Sequence, residues 1–314
     1  MNTDSMLGAA LGAHLTPGDL TGAVPVSVWV TAQDTSRFQR LNRYTPDSIR
    51  HPAKMLPAIA RHAITAYTRP GDLVFDPMCG IGTTLLEAVH LGRDALGTEY
   101  EHEWADLATA NLAHAAAHGA TGRGAVWCTD ARRPAPLTLA RAAGGRVRLL
   151  LTSPPYGPTN HGRVRTAGFG GHTGKVDKQH HRYGADRANL AYRPTADLLD
   201  GFTEILTQAR THLAPGAIVA ITARPWRRGG ELIDLPSAVF DAGRAAGLTP
   251  VERCVALLAR YHHDPDGGEQ LIAHGSFFQL KNIRDARALG EPHSLLVHED
   301  VLVLAAPAAG EGQR

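Results

Sequence analysis

The residues best suited to chemistry follow short apolar runs, at points where strands are predicted to end. One run closes with Asp76 and leads into a turn that contains Gly80 and Gly82 before a helix. Two glycines permit a tight turn and let the backbone approach a ligand closely. The next two predicted strands end in Glu99 and Asp130. These carboxylates could accept hydrogen bonds from the hydroxyl and amino groups of a nucleoside.

A fourth predicted strand, 147–153, runs into the tetrad Ser153-Pro154-Pro155-Tyr156. Proline has a fixed φ and no N–H donor, so the two prolines form a stiff turn that is rich in acceptors. The Ser153 hydroxyl and the Pro154 carbonyl can accept hydrogen bonds from an amino group, which favours a localised lone pair on its nitrogen. Tyr156 offers a ring on which a flipped base can stack, worth about 1–3 kcal/mol. The tetrad therefore suits the activation of an exocyclic amine.

Alternating strands and helices position these turns. We predict strands over 72–76, 94–100, 125–130, 147–153, 217–222, 251–260 and 298–306. We predict helices over 56–67, 83–92, 104–118, 197–213 and 235–247. This alternation is typical of an α/β fold with a doubly wound, mostly parallel, Rossmann-like sheet, here of seven strands. Because ligands bind such sheets at the carboxyl ends of the strands, we expect the four turns to lie together.

The turns 76–84 (DPMCGIGTT) and 152–157 (TSPPYG) resemble those of the DNA amino-methyltransferases, the S-adenosylmethionine-dependent N4-cytosine and N6-adenine enzymes. The segment 50–60 resembles the helix before the cofactor turn in that family, and 298–305 resembles its final strand. This resemblance implies a methyltransferase domain over residues 40–306. It implies catalysis at Ser153, Pro154, Pro155 and Tyr156, and S-adenosylmethionine binding by His51, Lys54, Asp76, Cys79, Gly80, Gly82, Thr83, Glu99, Tyr100 and Asp130.

The Ser form of the tetrad is more typical of the N4-cytosine enzymes, so the resemblance implies methylation of cytosine N4 in DNA. Two alternatives stay open: an N6-adenine DNA methyltransferase, and an RNA methyltransferase, because guanosine-N2 enzymes of transfer RNA share this order of motifs. Those RNA enzymes usually carry Asp where this sequence has Ser153. Many N4-cytosine enzymes place the tetrad before the cofactor turn, and this chain departs from that order.

The predicted nucleic-acid surface is a glycine-rich insertion at 157–193, which contains seven Lys and Arg against two Asp. Such a mobile basic loop can order on phosphate contacts. The stretch 224–228 is a second basic element at the same sheet edge, and its Trp226 could stack. Residues 1–39 are predicted to be a loosely ordered extension whose short apolar stretch, 24–30, could be a strand, and residues 307–314 a tail.

Composition and cysteine placement exclude several classes of protein. The net charge of +2 gives no general basic field. Three cysteines rule out a disulfide framework, and none follows a proline as the nucleophile of C5-cytosine methyltransferases does. The stretch 261–266 is predicted to be a solvated turn, and no metal is expected.

The chain also lacks the marks of a membrane or secreted protein. Its first residues have neither the basic start nor the apolar core of a signal peptide. No apolar run approaches the ~20 residues that span a bilayer. These features predict a cytoplasmic protein with no membrane partner.

Overall fold

A computed structural model describes residues 25–155, 163–165, 177–179, 184, 186, 188–228, 231–273 and 277–309, with backbone alone at 163–165, 177–179, 227–228 and 277–279. The strands are β1 (Val28–Val30), β2 (Leu73–Asp76), β3 (Asp94–Glu99), β4 (Gly124–Cys128), β5 (Val147–Thr152), β6 (Arg163–Arg165), β7 (Asp177–Gln179), β8 (Leu213–Ala223), β9 (Trp226–Arg228), β10 (Glu231–Ile233), β11 (Thr249–Leu257), β12 (Ala259–His263), β13 (Glu269–Ala273) and β14 (His298–Ala305). The α-helices are α1 (Ser36–Arg40), α2 (Pro57–Tyr67), α3 (Thr83–His90), α4 (His102–Ala117), α5 (Leu137–Ala143), α6 (Thr195–Arg210), α7 (Leu235–Ala245) and α8 (Phe277–Ala288). Pro46–Arg50 and Leu190–Tyr192 are 3-10 turns.

One sheet forms the centre of the fold, with strand order β1-β11-β14-β8-β5-β2-β3-β4. The pairs β1–β11, β8–β5, β5–β2, β2–β3 and β3–β4 are parallel, whereas β14 runs antiparallel to both of its neighbours. The predicted mostly parallel, doubly wound α/β sheet is confirmed. The predicted strand number is wrong by one, because β1 adds an eighth strand at the edge beside β11.

Helices cover both faces of this sheet, and alternate strand residues enter two separate cores. Val74 and Leu149 pack with Ile59 of α2 and Leu85 of α3. On the other face a second cluster contains Phe75, Leu150, Leu139, Phe202 and Val239 from strands β2 and β5 and helices α5, α6 and α7. Strands buried on both faces appear in the sequence as continuous apolar runs, which is why these strands were predictable.

The direction of the chain reverses between β2 and β5. From β2 the sheet grows through β3 to β4, and the chain then returns to place β5 on the other side of β2. Loops that leave the carboxyl ends of two such strands separate from each other and open a crevice. This switch point is where the fold positions a ligand site.

The segment before α2 is packed onto the domain, although residues 1–39 were expected to be loose. Trp29 of β1 is 2% exposed, and its ring stacks on the His62 ring with centroids 4.2 Å apart. The buried Gln39 side chain donates to the carbonyl oxygens of Thr31 and Asp34, at 2.9 Å each. Residues 25–40 therefore extend the sheet and its core.

Trp29→Ala should cost about 3–5 kcal/mol of unfolding free energy, because it removes a large buried ring. Val28→Ala is the matched control on the same strand, since Val28 is 47% exposed; we expect it to cost about 0.5 kcal/mol or less. Urea denaturation of both variants measures the difference. Equal costs would show that β1 does not pack on the domain in solution.

A second departure from prediction lies between β11 and β14. The stretch 261–266, expected to be a turn, is partly strand: β12 and β13 form a hairpin with His262 paired to Gln270. Helix α8 follows that hairpin.

In the described part of the chain, no helix is both long and apolar enough to cross a membrane.

Candidate active site

A cavity of about 900 Å³ opens at the switch point. Its volume lies in the range of about 300–1,000 Å³ that is usual for small-molecule sites. Of the residues predicted from the sequence, it is lined by His51, Lys54, Asp76, Cys79, Gly80, Thr83, Glu99, Tyr100, Asp130, Ser153, Pro154 and Pro155. Tyr156 lies outside the described residues. The fold thus brings the glycine turn, the acidic strand ends and the proline turn into one cavity.

The two glycines of the turn after β2 have different roles. Both have positive φ, 52° at Gly80 and 82° at Gly82, a conformation that other residues rarely adopt. A Cβ atom at Gly80 would lie 3.1 Å from Nε2 of His51, a neighbour in the cavity wall. A Cβ atom at Gly82 would meet Ala108 and Leu86 at 3.3 and 3.4 Å. Gly82 does not line the cavity; it immediately precedes α3, and the absence of a side chain there lets α3 pack against α4.

Asp76 fixes the relation between the glycine turn and β5. It is 4% exposed, and its Oδ1 accepts hydrogen bonds from Oγ1 of Thr152 at 2.7 Å and from the amide of Met78 at 3.1 Å. Burial raises the pKa of Asp76 to about 6, although these donors partly offset it. Since Thr152 immediately precedes Ser153, this bond joins the two predicted motifs directly.

Glu99, at the end of β3, holds the glycine turn from the other side. Its Oε2 accepts from the amide of Gly80 at 2.8 Å, and its Oε1 accepts from the amide of Glu101 at 3.0 Å. Burial raises the pKa of Glu99 to about 7. Each oxygen keeps a second lone pair for a ligand hydroxyl.

Asp130 carries a partner that the sequence analysis missed. Nε and Nη2 of Arg132 donate to Oδ1 and Oδ2 of Asp130 at 2.9 and 2.8 Å, in a bidentate pair. Burial acts to raise the pKa of Asp130, and the hydrogen bonds and charge of Arg132 outweigh it and hold that pKa below its usual range. The carboxylate stays ionised, and Arg132 adds a planar cation to the cavity wall.

His51 and Lys54 line the cavity beside the glycine turn. His51 is buried, and its ring meets the Trp104 ring edge-on at 4.7 Å. The Lys54 ammonium donates to the carbonyl oxygen of His51. These contacts give the wall a fixed imidazole and a fixed positive charge.

The proline turn lies at the carboxyl end of β5. Pro154 is buried, and Ser153 and Pro155 are half-buried. All three line the cavity.

A further part of the wall comes from the end of β8 and the beginnings of β9 and β14. Thr222 and Arg224 lie at the end of β8, Trp226 begins β9, and His298 and Glu299 begin β14. Arg224 and Trp226 belong to the basic stretch predicted at 224–228. The last two residues were missed, because β14 is antiparallel and therefore presents its first residues at this edge.

Little of the predicted basic insertion at 157–193 falls within the described residues. The described residues at its end sit over the cavity: Nδ2 of Asn189 donates to Oε1 of Glu101 at 2.8 Å, and the Tyr100 hydroxyl donates to Asp186. Asn189 and Leu190 line the wall. The insertion therefore returns to the domain beside the glycine turn.

The cysteines differ in their surroundings. Cys79 and Cys254 are buried, and burial raises the pKa of each thiol. Cys128, at the end of β4, is exposed. Cys79 lines the cavity as a protonated thiol, which is a poor nucleophile.

Comparison with known proteins gives local sequence similarity. Residues 19–110 match the family model described as DNA methylase, the N6 and N4 methyltransferases. Type II methyltransferase M.BglII of Bacillus subtilis is 31% identical over 91 residues, which are 29% of this chain and 23% of that protein. Orphan methyltransferase M.BamHII of Bacillus amyloliquefaciens is 37% identical over 65 residues, 21% of this chain and 24% of that protein. The matched segments thus span about a quarter of the length of these relatives.

Similarity to solved structures is broader in coverage and weaker in detail. The crystal structure of TrmN from Thermus thermophilus matches with a TM-score of 0.46 and 17% identity, over 85% of this chain and 53% of that one.

The match to the DNA methylase family model covers the glycine turn, Glu99 and the segment before them. Over residues 19–110, the resemblance to the DNA amino-methyltransferases is confirmed.

Proposed function

We propose that this protein transfers a methyl group from S-adenosylmethionine to an exocyclic amino group of a base in DNA, with cytosine N4 as the target. The observation that carries the proposal is the hydrogen bond from Thr152 to Asp76, which joins the glycine turn to the proline turn within one cavity. A methyl donor and an amine acceptor need such adjacency, because transfer depends mainly on proximity and orientation. The DNA methylase match over residues 19–110 supports the same chemistry.

The residues present fit the cofactor. Glu99 can accept from the two ribose hydroxyls, because each of its oxygens keeps a lone pair beside the bond from the Gly80 or Glu101 amide. Asp130 and Arg132 border the place expected for the adenine, while Asp76 and Lys54 border the place expected for the methionine end. When bound, the cofactor supplies an activated sulfonium methyl group.

On the other side of Asp76, Ser153 and Pro154 orient the acceptor amine. The hydroxyl oxygen and the carbonyl oxygen each accept one N–H bond, which leaves the nitrogen lone pair directed away from both. A hydroxyl can also donate to a neighbouring ring nitrogen, whereas an ionised Asp can only accept. Cytosine N3 and adenine N1 both provide such a nitrogen, so the preference for cytosine rests on the Ser form of the tetrad.

The products of a single reaction mixture test this proposal. The purified protein is incubated with methyl-labelled S-adenosylmethionine and either PCR-amplified genomic DNA, which is unmethylated, or unmodified transfer RNA. Nucleosides are then identified by mass spectrometry, and we expect N4-methylcytosine from DNA alone. N6-methyladenine would overturn the cytosine assignment, N2-methylguanosine from transfer RNA would overturn DNA as substrate, and no transfer by cofactor-bound protein would overturn the activity.

The basic insertion supplies a separate test of the DNA partner. Replacing Arg163, Arg165, Lys175 and Lys178 by Ala should weaken DNA binding and reduce the slope of log affinity against log salt, by up to ~0.9 for each phosphate that is no longer neutralised. The control replaces four exposed cations near the amino ends of the strands, Arg69, Arg123, Arg141 and Arg146. Fluorescence anisotropy over a salt series measures both. An equal slope in the two variants would show that the insertion does not bind the phosphates.

A further inference from the structure

Glu299 is a buried carboxyl in the cavity that the chemistry above does not use. It is the second residue of β14, is 8% exposed and lines the same cavity as Ser153. Burial of a carboxyl group disfavours its ionised form, so such a group is usually paired with another polar group or has a function.

The order of strands places Glu299 on the amine side of the site. Along the edge the sheet runs β14, β8, β5, β2, β3, so Glu299 and Thr222 lie on one side of Ser153 and Asp76 and Glu99 lie on the other. Adjacent strands are about 4.8 Å apart, which sets the backbones of β14 and β5 about 10 Å apart. Strand β8 lies between them, so a base held at Ser153 would extend over the carboxyl end of β8 toward Glu299.

The alternation of side chains along β14 also places Glu299 and Thr222 on the same face of the sheet. Thr222 is directly opposite Val301 in the β8–β14 pair. Since side chains alternate along a strand, Glu299 shares the face of Val301 and Thr222. Its neighbour Asp300 points to the opposite face, where Oδ1 accepts from Nε of Arg253 at 2.8 Å, and Asp300 does not line the cavity.

The groups around Glu299 leave it able to take up a proton. Burial raises the pKa of Glu299, the nearby charge of Arg224 and the Thr222 hydroxyl lower it, Asp300 raises it, and His298 lowers it slightly. The net pKa is above the usual value of a Glu. Ser153 and Thr222 are neutral hydroxyls and Arg224 is a cation, while His298 shares its face with Asp300, 4.0 Å away.

We propose that Glu299 is a catalytic residue that accepts the proton lost by the target amino group during methyl transfer. The amine lone pair forms the N–C bond, the C–S bond breaks, and its electron pair stays on sulfur. One N–H bond of the amine breaks, and the proton passes to a carboxylate oxygen of Glu299 and later to water. This inference rests on the proposed function and extends it to the fate of the proton.

The test compares single-turnover methyl transfer to PCR-amplified genomic DNA, with the cofactor bound beforehand at saturation. Glu299→Gln should slow transfer by about 10²-fold or more, the usual contribution of a general base. Asp76 and Glu99 titrate in both proteins alike, so the ratio of wild-type to variant rate isolates Glu299. That ratio should rise with pH through the titration of Glu299 and then level off. The control Asp300→Asn, which alters the adjacent buried carboxyl outside the cavity, should keep a rate that rises with pH as Glu299 ionises, with the rise displaced to lower pH because Asp300 raises the pKa of Glu299.

A second variant separates proton transfer from a structural role. Glu299→Ala leaves room for a small carboxylate, so added formate should restore part of its rate, with no such rescue of Glu299→Gln. A rate ratio for Glu299→Gln that does not change with pH, or no rescue of Glu299→Ala by formate, would overturn this inference. The proposed function would still stand in that case, provided that the wild-type protein transfers the methyl group. Absence of transfer by wild-type protein that binds the cofactor in calorimetry would overturn both.

Discussion

Ser153→Ala should lower the single-turnover rate of methyl transfer by about 10²–10³-fold, in line with the loss of one preorganised hydrogen-bonding group. Ser153 lines the cavity at the end of β5, and its hydroxyl is expected to contact the amine rather than the cofactor. Cofactor affinity, measured by calorimetry, should therefore stay unchanged. Rapid-quench kinetics at saturating cofactor measures the rate.

The residue before Ser153 provides a matched control, whose substitution should lower cofactor affinity rather than the rate of transfer. Thr152 is fully buried, and its hydroxyl donates to Asp76 at 2.7 Å. Thr152→Val removes that donor, which should raise the pKa of Asp76 further and weaken cofactor binding. The rate at saturating cofactor should fall far less than in Ser153→Ala, because the pairing of β2 with β5 still holds the two turns together. If Ser153→Ala weakens cofactor affinity as strongly as it slows transfer, the division of the cavity into a cofactor side and an amine side is wrong.

The fold was predictable where burial leaves a pattern along the chain. Strands such as β2 and β5 are buried on both faces and appear as apolar runs between turn residues. The apolar stretch 24–30 indicated a possible strand, and β1 lies within it, but its place at the edge of the sheet depends on non-local pairing with β11 that the stretch alone does not give. The β12–β13 hairpin is mostly exposed, so neither of its strands carries a run of buried residues.

The candidate site was predictable to the extent that parallel strands end in it. Asp76, Glu99, Asp130 and Ser153 each lie at the end of such a strand or just after it, and each lines the cavity. Glu299 was missed because an antiparallel strand reaches the same edge with its beginning. Arg132 was missed because its pairing with Asp130 depends on side-chain geometry that spacing alone does not give.

We expect Glu99 to make cofactor binding depend on pH, and its pKa gives the sign of that dependence. Burial raises the pKa of Glu99 to about 7 in the free protein, above the usual value for Glu. The protonated form is therefore favoured by folding, and this contribution to stability is present at low pH and lost as the pH rises through about 7. An ionised Glu99 that accepts from the two ribose hydroxyls would instead favour the charged form. Binding at low pH must then release a proton.

We expect the dissociation constant for S-adenosylmethionine to increase toward about tenfold for each pH unit below about 7, the linkage expected of one released proton. The side chain in the Glu99→Gln variant cannot ionise. We therefore expect this variant to bind S-adenosylmethionine about 1–3 kcal/mol more weakly than wild type at pH 8 and to lose the dependence of affinity on pH. Asp76, with a pKa of about 6, titrates in both proteins, so the ratio of their affinities isolates Glu99. The control is Glu101→Gln. It removes a nearby carboxylate that accepts a hydrogen bond from Asn189 and lies outside the cavity wall. We expect this variant to keep the wild-type dependence of cofactor affinity on pH. Calorimetric titrations from pH 5.5 to 8.5 measure all three proteins. Equal slopes in wild type and Glu99→Gln would show that Glu99 does not receive the ribose, since a carboxylate that binds the diol must shed its proton first.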